Sequence, residues 1–202
     1  MMEIITRYII LIFAVFAVVL MVSSDLFAQE HENVEQIARM FNHWDRAYDI
    51  DVSGDLAYIA AGKSGLQIVD ISNPESLHVV GYWDDNPTEA GRVTVSGEYA
   101  YLSSGTDGLR IISVADPGHP REVGCWGDYA RKMEVSGGYA FVLSRGMHIL
   151  SLSNPEQPEE IGFWEQDKGT YDIFISGDFA YVVGYERGLR TISVVNPTHP
   201  VE

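Results

Sequence analysis

The chain is 202 residues long, and 29 acidic against 13 basic side chains give it a formal net charge of −16. A surface this acidic excludes nucleic acid, whose phosphates need a basic face, and excludes adhesion to anionic lipid; it suits a solvated exported domain, a cationic partner or a divalent ion. The single cysteine, Cys125, excludes an intrachain disulfide.

The first element is an apolar run from Tyr8 to Val22, without a charge or an amide, preceded by Arg7 and followed by Ser23-Ser24-Asp25-Leu26-Phe27-Ala28. A basic residue, an apolar core of this length and a small residue at the cleavage position predict a secretory signal peptide over residues 1–28. A retained membrane anchor is the alternative, although a spanning helix needs about 20 apolar residues. Cleavage removes Glu3, Arg7 and Asp25 and leaves 12 basic and 27 acidic side chains, a net charge of −15. No later segment is apolar enough to insert in a bilayer. The expected location is therefore the periplasm, the cell surface or the medium. Residues 29–39 read as a polar lead-in, with Val34, Ile37, Ala38 and Phe41 at loose helical spacing.

From residue 40 onward one cassette recurs four times. Ser53-Gly54, Ser96-Gly97, Ser136-Gly137 and Ser176-Gly177 are spaced 43, 40 and 40 residues apart, and each follows an apolar strand. An aromatic-rich strand comes next: Leu56–Ile59, Tyr99–Leu102, Tyr139–Val142 or Phe179–Val182. A third run opens at Gly65-Leu66, Gly108-Leu109, Gly146-Met147 or Gly188-Leu189, and ends in Asn73-Pro74, Asp116-Pro117, Asn154-Pro155 or Asn196-Pro197. Asn and Asp bond backbone two residues on, and Pro fixes φ, so these pairs are turns. A fourth run closes on Trp83, Trp126 or Trp164, whose rings are expected in the core. Cys125 takes the slot of Tyr82 and Phe163 and is expected to be a packing residue.

Four short strands per cassette leave no room for a crossover helix. The prediction is an all-β, β-propeller-like fold of four repeats, each a four-stranded antiparallel meander, at about 45–83, 84–126, 127–164 and 165–202. Two closures stay open. Met40–Trp44 has the form of a fourth strand and could pair with Leu189–Val194 in a closed four-blade ring, or the repeats could form an arc of a larger propeller.

Leu66-Gln67-Ile68-Val69-Asp70, followed by Ile71-Ser72-Asn73-Pro74, resembles the signature of the LVIVD-repeat family. The other copies, Leu109–Ser113, Met147–Ser151 and Leu189–Ser193, replace its aspartate by serine. The resemblance spans residues 40 to 202 and implies a propeller-like exported protein. It implies no general enzymatic activity and transfers no catalytic residue.

Functional residues are sought where the copies differ, because a position that repeats in every blade serves the blade. Four residues before each Ser, the first strands carry Asp49, Arg92, Lys132 and Asp172; one step earlier stand Tyr48, Gly91, Arg131 and Tyr171. Alternation puts Ile50, Val93, Met133 and Ile173 on the opposite face. The candidate ligand-binding set is therefore Tyr48, Asp49, Arg92, Arg131, Lys132, Tyr171 and Asp172 at one mouth of the channel, holding a polar ligand or closing on itself as ion pairs. Nearby Asp45, Asp84, Asp85, Asp128, Glu165 and Asp167 offer oxygens to calcium, but no Asp-x-Asp-x-Asp-Gly loop is present and no cofactor is expected. His148 replaces Arg110 and Arg190 on the third run and reads as solvated or at the blade edge. No zinc spacing and no Gly-x-Ser-x-Gly elbow occurs. The expected function is a non-catalytic binding or scaffold module, contacting a protein or polar ligand through rim and channel mouth. The alternative is a metal-dependent propeller hydrolase or lactonase-like enzyme.

Overall fold

In the computed structural model, the described residues are 36–40, 44, 46–85, 89–127, 129–165, 169–185 and 188–202. The signal peptide and most of the lead-in lie outside them. So do residues 41–43, on which pairing of Met40–Trp44 with the last repeat depends. Among the described residues there is no helix.

Three four-stranded antiparallel meanders and one three-stranded meander follow one another. The first contains β1 (Asp49–Ser53), β2 (Leu56–Ala60), β3 (Leu66–Asp70) and β4 (His78–Trp83). The second contains β5 (Arg92–Ser96), β6 (Tyr99–Ser103), β7 (Leu109–Ser113) and β8 (Arg121–Trp126). The third contains β9 (Lys132–Ser136), β10 (Tyr139–Leu143), β11 (Gly146–Ser151) and β12 (Glu159–Glu165). The fourth contains β13 (Thr170–Ser176), β14 (Phe179–Gly184) and β15 (Gly188–Ser193). There the expected fourth strand is reduced to one bridge, Ser193 to Val201.

Local chemistry accounts for the punctuation. The Ser-Gly pairs form the tight hairpins between first and second strands, with Gly54, Gly97, Gly137 and Gly177 all near φ +55 to +60, where a side chain would be strained. In each turn after the third strand the Asn or Asp side chain accepts the amide two residues on: Glu75 to Asn73, Gly118 to Asp116, Glu156 to Asn154 and Thr198 to Asn196, at 3.0 to 3.3 Å. The signature aspartate has the same kind of role. Asp70 accepts both the hydroxyl and the amide of Ser72, and those bonds hold its carboxyl below the usual range.

The sheets stack through three apolar clusters. Tyr58, Ile68 and Trp83 of the first meet Val93, Leu102 and Ile112 of the second. Tyr101 and Ile111 meet Met133, Val142 and Leu150; Phe141, Ile149 and Trp164 meet Ile173, Val182 and Ile192. Each of β4, β8 and β12 also brings a glycine against the next sheet. A Cβ at Gly81, Gly124 or Gly162 would overlap the carbonyl oxygen of Pro117, Pro155 or Pro197. The adjacent register shifts recur at the same place, at Ile68/Val69, Ile111/Ile112 and Ile149/Leu150, as bulges that bend the outer strand do.

The four sheets do not close into a ring. No apolar cluster among the described residues joins the fourth sheet to the first. Ile50 and Val52 on β1 and Leu189 on the fourth sheet, at positions whose counterparts are covered inside the stack, are exposed. Two packing expectations are corrected. Cys125 is exposed, as are Tyr82 and Phe163, because that slot points away from the next sheet on an outermost strand. Trp83 and Trp164 are buried, whereas Trp126 is only partly so.

Candidate functional site

The first strands β1, β5, β9 and β13 lie side by side in chain order. Alternation turns one face of each to a shared cavity of about 330 Å³, lined in part by Asp49, Asp51, Arg92, Thr94, Lys132, Glu134 and Asp172. Four of the expected residues, Asp49, Arg92, Lys132 and Asp172, therefore do meet. Asp51, Thr94 and Glu134 form a second layer that the sequence reading missed. Continuing the count two residues along each strand would have found it.

The first layer is paired. Arg92 Nη1 lies 3.1 Å from Asp49 Oδ1 and Lys132 Nζ 3.3 Å from Asp172 Oδ1. Each pair joins two neighbouring first strands. The carboxylates also take over work that backbone carbonyls do within a sheet. Val93 N donates to Asp49 Oδ2 at 3.1 Å and Val95 N to Asp51 Oδ2 at 2.6 Å. The edge amides of β5 are thus satisfied by side chains of β1, as partly buried donors require. Glu134 stands where burial, and then the carboxylates of Asp172 and Asp51, push its own carboxyl up.

The remaining expected residues sit apart from the cavity lining. Tyr48 is exposed; its hydroxyl donates to Glu89 and accepts from Arg46 at 3.4 Å. Arg131 donates to the Thr170 carbonyl at 3.2 Å, with its guanidinium 4.6 Å from the Tyr171 ring centre. Tyr171 in turn faces Tyr185, with centroids 3.8 Å apart. This cation–π stack fastens the third sheet to the fourth at the rim. Of the acidic rim residues, Asp45, Asp128 and Asp167 lie outside the described residues. Among those described, no three His, Cys, Asp or Glu side chains gather as metal ligands.

The cavity can hold a small polar group between fixed charges of both signs.

A search of the curated proteins finds no significant match. Among solved structures the chain is similar to the computationally designed Ika4 protein, at 6% identity and TM-score 0.64, covering 79% of this chain and 98% of that one. It is also similar to the computationally designed Ika8 protein (5%, TM-score 0.61), over 74% of this chain and 46% of that one. A protein from Lactobacillus plantarum (13%, TM-score 0.64) aligns over 76% of this chain and 53% of its own. The chain thus spans about half the length of the latter two. At these identities the likeness concerns the fold alone. The LVIVD repeat matches four times, over residues 46–85, 87–126, 127–165 and 169–202, and with both the meander and its turns repeating in register, the chain belongs to the LVIVD repeat family.

Proposed function

We propose that this chain is a non-catalytic binding module, exported by its amino-terminal signal, whose contact face is the mouth of the cavity between the first strands. One observation carries this reading. The cavity-facing positions differ from sheet to sheet, as Asp49, Arg92, Lys132 and Asp172 above Asp51, Thr94 and Glu134, whereas the turns and apolar positions repeat. Binding residues concentrate where a rigid scaffold leaves its sequence free to vary. The ligand class is a small polar molecule, or a protein side chain, that presents charge of both signs. The hydrolase alternative needs acids free to converge on one ion, and here Arg92 and Lys132 occupy two of the carboxylates.

Thr94→Phe tests this reading, because it fills the cavity and leaves both ion pairs in place. A polar-metabolite library screened by thermal shift on the mature chain should yield a ligand that Thr94→Phe weakens by at least about tenfold, or about 1.4 kcal/mol. A ligand indifferent to Thr94→Phe would move the site elsewhere. Turnover of esters or lactones that Glu134→Gln abolishes would overturn the non-catalytic reading.

A further inference from the structure

A second cavity, about 750 Å³, opens between the outer strands of the second and third sheets and is lined by Trp126, Tyr129, Ser144, Arg145, His148 and Phe163 among others. Two departures from the repeat create it. The hairpin from β10 to β11 is only Ser144-Arg145, whereas five residues, 61–65 and 104–108, connect the corresponding strands of the first two sheets. Those longer hairpins reach the next sheet through the bridges Gly62–Ala90 and Gly105–Ala130. The short one stops above His148 and Phe163.

The second departure is His148 itself. It pairs with Val142 as Arg190 pairs with Val182 and Arg110 with Leu102. The Arg190 guanidinium lies 4.5 Å over the ring of Trp164, which is buried at 7% exposure. The shorter His148 ring sits 4.9 Å from Trp126 and 4.6 Å from Phe163, and Trp126 stays partly open. His148 Nδ1 donates to Glu160 at 3.1 Å, which fixes the ring and leaves Nε2 as the free nitrogen. Tyr129 is 43% exposed and Phe163 44%, so three large aromatic faces meet water beside one another. At the hairpin tip Arg145 is exposed and, among the described residues, makes no ion pair or hydrogen bond. A cation without a partner among the described residues, beside aromatic walls and in a chain of net charge −16, is a specific electrostatic feature. Pockets of a few hundred Å³ with aromatic walls and a few placed polar groups are the usual form of small-molecule sites.

We propose that this cavity binds a small planar organic anion, an aromatic ring bearing a carboxylate. The ring stacks among Trp126, Tyr129 and Phe163 in the offset or edge-on geometries that aromatic pairs prefer. The carboxylate takes the Arg145 fork, whose donors match two carboxylate oxygens. Ser144 supplies a further donor at the same edge. The site lies apart from the first-strand cavity, so it stands or falls independently of the contact face proposed there.

Isothermal titration of the full chain with 2-naphthoate, and with uncharged 2-naphthamide as comparator, tests the assignment. One saturable naphthoate site per chain is expected, with the amide weaker. Arg145→Gln should weaken naphthoate by about tenfold, the scale of one charge-assisted contact, and leave the amide unchanged, while Tyr129→Ala should weaken both. Arg145→Lys should restore part of the naphthoate affinity. Both Arg145 and Tyr129 are exposed, so these variants leave the fold intact, and a circular-dichroism spectrum checks that. Absence of saturable binding up to millimolar naphthoate would overturn the proposal. So would equal affinity for acid and amide, or naphthoate binding indifferent to both Arg145→Gln and Tyr129→Ala. If only Tyr129→Ala matters, the cavity is an apolar seat without the anion preference, and the stated class is wrong.

Discussion

Gly124→Ala isolates the contact that joins one sheet to the next. The added Cβ would overlap the Pro155 carbonyl oxygen and lie 3.2 Å from the Glu156 carbonyl carbon. All of these are backbone atoms, so no rotamer change relieves the overlap, and the second and third sheets must separate or β8 must bend. Separation also opens the apolar cluster between those sheets. Overpacking of this kind costs about 1–3 kcal/mol. For a chain of this size about 2 kcal/mol lowers Tm by about 4–8 °C. Gly91→Ala is the control. Its Cβ would meet nothing nearer than the Ser103 carbonyl oxygen at 3.8 Å, and neither glycine has a positive φ, so backbone strain is matched. Gly91→Ala should stay within about 0.5 kcal/mol of wild type. Calorimetric or fluorescence melting of the three proteins decides. If Gly124→Ala melts with Gly91→Ala, the glycine is dispensable and the sheets do not seat through it.

Asp51→Ala strips the Val95 amide of its acceptor and should cost about 1–3 kcal/mol in urea unfolding, with Asp51→Asn, which keeps an acceptor oxygen, milder. Glu134→Gln should be more stable than wild type at pH 7. The folded state holds the Glu134 proton more tightly than the unfolded chain does. Its contribution is therefore fully present below the ordinary glutamate value of about 4.3 and is lost as pH rises through the raised one. The gap between variant and wild type, measured by melting from pH 4 to 8, should close at the acid end; a gap that widens there would contradict the assigned environment. Amino-terminal sequencing of the exported protein should begin at or near Gln29, and a membrane-bound product retaining Met1 would refute cleavage.

The strands and turns were legible because their causes are local. Ser-Gly needs φ above zero at one residue, Asn-Pro needs a side-chain acceptor two residues back, and alternation shows which face is apolar. Counting from the serines puts Asp49, Arg92, Lys132 and Asp172 on one face, where they line one cavity, since a strand has a fixed period. Tyr48, Arg131 and Tyr171, one residue further out, sit where rim contacts rather than the pleat decide what a side chain meets. The exposure of Cys125 depends on whether anything covers the outer strand, which no repeat unit states about itself. The aromatic cavity was hidden by compensation. Ser136 to Trp164 is two residues shorter than Ser96 to Trp126, and Trp164 to Ser176 is two longer than Trp126 to Ser136, so the 40-residue spacing conceals the short hairpin. The lack of a full fourth strand in the last sheet was legible as well, because no tryptophan-closed run follows Asn196-Pro197 as one follows the other three turns.

Each sheet seats on the next through a glycine against a proline carbonyl, and that contact uses main-chain atoms on the receiving side. The joint is consequently indifferent to nearly every side chain of the turn it receives. Substitutions can accumulate at Gly118, Glu156 or Thr198 without loosening the stack, whereas a single methyl on the donating glycine strains it. Mutational tolerance across each joint is therefore lopsided: the donating strand is held to one residue while the receiving loop is free to drift, and diversity on this protein's surface should concentrate in the loops that receive.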